Sequence, residues 1–142
     1  MKERSRRQIM KWLKRTVLAI LLLPVIVIGI FILYEVFGMC VNHIATGRQT
    51  KQLQANLTKE IPDIEIISVY SETGNTAGTG NHVDCLSAVV FSTNMQESEI
   101  VNKMSAYYEF DEWYCYVYQT EDGNYLFYLN TSAPFVDNIE GH

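Results

Sequence analysis

Charge is missing from one long stretch: no Asp, Glu, Lys or Arg occurs between Thr16 and Tyr34, TVLAILLLPVIVIGIFILY. A helix of a small soluble domain keeps a polar face, so this absence excludes an ordinary amphipathic helix. Nineteen residues of helix rise roughly 28 Å, close to the thickness of a bilayer's hydrocarbon core. A signal-peptide cleavage site is lacking too. Near the end of the apolar run, His43-Ile44-Ala45 puts a bulky ring where a small residue is needed. Met39 before Cys40 is equally unsuited to a lipoprotein site. The stretch is therefore read as a retained transmembrane helix over 16–41, with Pro24 placed to kink it.

Basic residues are scarce after this helix. The first fifteen positions hold seven Lys and Arg against Glu3, a net charge of +6. From Thr46 onward there are four basic residues against fourteen acidic ones, a net −10. Basic flanks stay on the cytoplasmic side, so segment 1–15 is expected inside and the carboxy-terminal part outside the cell membrane. Trp12 among Lys11, Lys14 and Arg15 suits the headgroup level. An acidic outer domain lacks the basic face that phosphate binding needs, which argues against nucleic acid as a partner. The 97 residues after Ala45 suffice for one small core.

The outer part reads as two helix–strand–strand units. A linker over 42–47, containing Gly47, leads to a first helix over 48–60. There Leu53, Leu57 and Ile61 recur every four residues as one apolar stripe, before Pro62 and Asp63. Strands are expected over 64–71 and 83–92. Helix two spans 95–108, with Asn94 as cap, Glu97 at its third position, and Ile100, Val101, Met104, Tyr107 and Tyr108 on its buried face. Strands three and four cover 113–120 and 125–130, joined at Asp122-Gly123, a strong hairpin signal. The domain runs 48–130 and a tail without periodicity runs 131–142. This order predicts an α+β fold, an αββαββ two-layer sandwich of permuted ferredoxin-like type, with strand four between strands two and three. The alternative keeps strands two and three adjacent and parallel.

Three cysteines leave no room for a disulfide framework. Cys40 is unpaired in any scheme, and only Cys85 with Cys115 could bridge. With strand four between them their Cα atoms lie about 10 Å apart, beyond the roughly 7 Å that a bridge tolerates. Two buried thiols are expected; the alternative strand order would permit the bond.

Motifs of catalysis are equally sparse. In His82-Val83-Asp84-Cys85, strand alternation puts His82 and Asp84 on one side and Cys85 on the other, so a Cys–His nucleophile pair is poorly placed. His82 and Asp84 could supply two metal ligands, completed by Glu140 or His142, but zinc sites show clearer spacing. The glycine-rich ETGNTAGTGN joins two strands and opens no helix, so neither a dinucleotide nor a phosphate-loop context exists. It reads as a mobile hairpin loop, and no cofactor is expected. The sequons at Asn56 and Asn130 are expected to be accessible outside the membrane.

Aromatics carry the most information. Trp113, Cys115 and Val117 share one face of strand three, and Tyr114, Tyr116 and Tyr118 the other. In strand four, Leu126 and Tyr128 lie opposite Tyr125, Phe127 and Leu129. If helices cover the Trp113 side, the open face becomes a tyrosine platform, Tyr114, Tyr116, Tyr118 and Tyr128, suited to a protein or glycan partner. Tyrosine also favours strands for its own sake, as a half-exposed cross-strand pair.

The segments SETGNTAGTGNHVDC and SAPFVDNIEGH resemble small, single-pass, membrane-anchored bacterial proteins of uncharacterised function. The resemblance implies no activity, ligand or catalytic residue. The reading is a non-enzymatic, membrane-anchored extracytoplasmic binding or interaction module. Its alternatives are a small extracytoplasmic hydrolase or metal-dependent enzyme, and an accessory subunit of a membrane complex.

Overall fold

The computed structural model describes residues 2–78 and 80–142, with side chains from 6 onward. Thr79 of the glycine-rich loop lies outside the described residues, as do the side chains of Lys2 and Arg4 in the basic segment. The chain divides into two compact units, one ending at Phe37 and one running Gly38–His142. The protein is α+β: a long amino-terminal helix, a four-stranded antiparallel sheet and a second, short helix.

Helix α1 spans Lys2–Glu60. In the first unit its apolar side chains, Leu18 to Leu33 among them, are exposed all round the helix. Among the described residues this is the one helix long and apolar enough to cross a membrane. The helix continues through Pro24 and through the expected linker over 42–47. That linker is a misreading with a physical cause. A helical glycine costs about 1 kcal/mol, and Gly47 is outweighed by neighbours that bond to the sheet. Thr46 Oγ1 lies 2.7 Å from Thr73 Oγ1, and Gln49 Nε2 donates to the Cys85 carbonyl at 2.7 Å.

In the second unit the buried stripe of α1 changes character along its length. Leu53, Leu57 and Ile61 are buried as expected, and a three-residue step followed by four-residue spacing carries the stripe back through Thr50, Thr46 and Asn42, all buried and polar. Each threonine donates to the carbonyl four residues earlier, at 3.1 Å for Thr46 and 2.9 Å for Thr50. Thr50 Oγ1 also meets the buried Ser87 Oγ at 2.7 Å.

Strands β1 (Glu65–Gly74), β2 (Asp84–Ser92), β3 (Cys115–Gln119) and β4 (Tyr125–Ser132) pair in the order β1-β2-β4-β3, all antiparallel. β4 therefore separates Cys85 from Cys115, and both thiols are buried and unbridged. The β3–β4 turn uses Gly123 at φ +82°, a conformation that disfavours a Cβ. Helix α2 is shorter than expected, Glu97–Met104, and begins two residues later. Glu99, not Glu97, closes the capping box, its Oε2 accepting from Gln96 N at 3.0 Å. Thr93 Oγ1 accepts from Met95 N in the approach.

The core lies between the helices and one sheet face, with Leu53, Leu57, Ile100 and Met104 against Val89, Phe91, Val117 and Phe127. Tyr107 is not part of it. Its hydroxyl reaches Glu60 Oε1 and Lys59 Nζ at the surface, while Tyr108 packs edge-on against Phe127. The tail is ordered by long-range bonds invisible to periodicity. Asn42 donates to the Phe135 carbonyl and accepts from Phe135 N, each at 2.9 Å.

Candidate functional site: the open sheet face and its end cleft

Register places side chains on the uncovered face in three rows. Ser68, Val90, Leu126 and Tyr118 form one, and Tyr70, Ala88, Tyr128 and Tyr116 the next. Glu72, Leu86 and Asn130 form the third, where Tyr114 adjoins through its carbonyl, which accepts from Asn130 N at 2.7 Å. Tyr114, Tyr116 and Tyr118 thus lie on the face away from the helices, and Tyr128 joins them. Tyr116 stacks on Tyr128 with ring centres 4.6 Å apart and planes 9° from parallel. Tyr118 stacks on Tyr116 at 6.1 Å. Burial pushes the Tyr116 phenol up, with a smaller contribution from its tyrosine neighbours. A column of stacked rings on a rigid sheet offers contact area with little side-chain freedom left to lose.

Beyond this column the face becomes concave. A cavity of about 260 Å³ is bounded by Thr76, Ala77, Trp113, Tyr114, Tyr128 and Asn130. Beside it lies one of about 520 Å³ that shares Ala77, Tyr114 and Asn130 and adds His82, Asp84 and Ser132. Sequence reasoning missed this cleft, because its two walls come from segments far apart in the chain. One wall is the glycine-rich loop, expected to be mobile. Its described part is pinned: Ala77 N donates to Asp84 Oδ2 at 3.0 Å and Thr76 Oγ1 to Asn130 Oδ1 at 3.1 Å. Asn75 Nδ2 donates to the carbonyls of Gly80 and Gly141. The other wall is a turn built on Asp111, whose Oδ1 accepts from the backbone N–H groups of Trp113, Tyr114 and Cys115. The Tyr114 and Trp113 N–H bonds hold the Asp111 carboxyl below the usual carboxylate range. Trp113 does not join the covered face of β3; it sits ahead of the strand and is 76% exposed.

His82 and Asp84 do meet, Nε2 to Oδ1 at 3.4 Å, and His82 Nε2 also lies 3.0 Å from Ser132 Oγ. Three residues of hydrolytic chemistry are therefore adjacent, yet both contacts fall on the same ring nitrogen. A serine nucleophile needs one imidazole nitrogen for its hydroxyl while the other donates to the carboxylate. Glu140 is drawn elsewhere, its Oε1 2.6 Å from His43 Nε2 on α1. No three His, Cys, Asp or Glu converge as metal ligands among the described residues.

Cys85 and Cys115 are closed to such chemistry. Burial raises both thiols, and with the charge of Asp111 it takes Cys115 up to about 11. Both sequon asparagines are buried rather than accessible. Asn56 Nδ2 donates to the Tyr108 hydroxyl at 2.9 Å, and Asn130 holds Thr76.

No protein-family model, curated protein or solved structure matches this chain.

Proposed function

We propose that this protein is a single-pass, membrane-anchored binding module whose outer domain presents the tyrosine face of its sheet to a protein partner. The apolar, uncharged part of α1 supports the anchor, and the basic residues ahead of it support an inside amino terminus. The strand order supports a permuted ferredoxin-like sandwich with one face left open. The observation that carries the binding reading is that open face: Tyr70, Tyr114 and Tyr118 are each about half exposed beside the stacked Tyr116–Tyr128 pair. Aromatics gathered on one rigid surface are the composition of contact centres rather than of a solvated sheet. The module is non-enzymatic in this reading, and the shared nitrogen of His82 weighs against the hydrolase alternative.

Photo-crosslinking in intact membranes, with a reactive group at Tyr118, tests the proposal by identifying what is captured. A specific protein whose capture is lost with Tyr116→Ala supports it. Capture that ignores Tyr116 removes the platform. Protease added outside intact cells should remove the part after Ala45; protection of that part overturns the orientation.

A further inference from the structure

The end cleft has a chemistry distinct from the tyrosine column beside it. Asp84 is 4% exposed. Its Oδ2 accepts from Ala77 N and Thr76 Oγ1, while Oδ1 has, among the described residues, only the 3.4 Å contact with His82. Asn130 is committed through its Oδ1, which accepts from Thr76 Oγ1. One anionic acceptor therefore remains, in a cleft that no Lys or Arg lines among the described residues. Its field reaches the aromatic wall: burial first, and then the charge of Asp84, pushes the Tyr128 phenol up. The neighbouring space is bounded by three aromatic rings, Trp113, Tyr114 and Tyr128.

A carboxylate beside aromatic faces attracts a cation through charge and through the ring quadrupoles together, and the rings also cover an apolar stem. A sugar would need several free donors and acceptors, whereas Asn130 Oδ1 and Asp84 Oδ2 are already engaged. The net −10 after Thr46 draws cations and repels anions. We infer that this cleft binds a primary ammonium group on an alkyl stem, the lysine side chain of an extracytoplasmic peptide, with the ammonium at Asp84 and the stem against Trp113 and Tyr114. The inference rests on the binding reading and specifies what the partner carries. Both walls are fixed before a ligand arrives, by Asp111 on one side and by Asp84 and Asn130 on the other.

The test uses the full chain in lipid nanodiscs. In a Trp12→Phe background Trp113 is the sole indole, and its emission is titrated with Nα-acetyl-lysine-N-methylamide. The expected result is a saturable change that weakens at least about tenfold with the Nε-acetylated probe and with Asp84→Asn, since each removes one charge of the pair. Asn retains an acceptor for Ala77 N, and thermal melts check that the variant folds. Should it not fold, Tyr114→Ala decides, because that half-exposed ring lies outside the buried core; undiminished binding there refutes the site. No saturable response, equal responses to both probes, or indifference to Asp84→Asn in folded protein would each overturn it. Failure of the lysine probe with capture still dependent on Tyr116 sinks the cleft and leaves the platform. Lysine binding without such capture does the reverse.

Discussion

The two faces of the sheet differ sharply in what they bury. β3 and the residue ahead of it display the contrast: Cys115 and Val117 are 3% and 7% exposed, while Tyr114 and Tyr118, one position away, are 47% and 45% exposed. On the covered face, apolar side chains meet two helices and lose their water. On the open face, rings lie against one another and stay at least partly exposed, which avoids fully burying phenols that would each need a partner. The covered face carries the buried core, and the open face carries the stacked rings.

The strongest way to break this comparison is to put a charge on each face of one strand. Val117→Asp leaves an unpaired carboxylate in the core and should cost more than about 3 kcal/mol, enough to unfold the outer domain. Tyr118→Asp on the open face should change stability by less than about 1 kcal/mol. Thermal melts of the two variants in nanodiscs compare them directly, and the opposite ranking would invert the faces.

Next in size is a packing test at the covered end of the sheet. A Cβ on Gly141 would stand 3.0 Å from the backbone N and C of His82 and 3.2 Å from Val83 Cγ2. Backbone cannot yield as a side chain can, so Gly141→Ala should cost about 1–3 kcal/mol by overpacking. A neutral result in denaturant titration would mean that the tail is not held against His82 and Val83, ahead of β2.

The binding consequence of the contrast is smaller. Tyr116→Ala removes the middle ring of the stack and should weaken partner capture by about 1–2 kcal/mol, roughly five- to thirty-fold. It should cost less stability than Val117→Asp. Unchanged capture and an unchanged melt would leave the face merely solvated.

The smallest effect concerns the helix that covers the sheet. Gly47 is helical, and nothing lies within 4 Å of where its Cβ would stand. Gly47→Ala should therefore raise stability by about 0.5–1 kcal/mol. A hinge at that position would show the gain absent or reversed, and would separate the docked end of α1 from the rest of the helix.

Much of the framework was legible because its signals are local. Leu53, Leu57 and Ile61 mark a helix by four-residue spacing, and Cys115-Tyr116-Val117-Tyr118 marks a strand with two unlike faces. Asp122-Gly123 marks its hairpin, since glycine alone adopts φ +82° without strain. Gly47 misled because propensity is a weak prior, overridden here by Thr46 and Gln49 bonding strands far along the chain. The cap of α2 misled because Asn94 and Gln96 both precede a glutamate by three residues, and local pattern does not choose between them.

By itself the sequence determined the uncharged helix and its charge asymmetry, the α+β element order and the alternation that sorts tyrosines from core residues. All follow from hydropathy, charge and short periodicity. Only the tertiary structure decided that Asn42 clasps Phe135, that Asn56 and Asn130 are buried, and that His43 meets Glu140. It alone brought Trp113 and Tyr114 round to face Thr76 and Asp84. These partners stand tens of residues apart, and a polar side chain shows no periodic trace of where its partner lies. Sheet order, with β4 inserted between β2 and β3, sets which distant groups become neighbours. That order is set by how the helices and the sheet bury their common core.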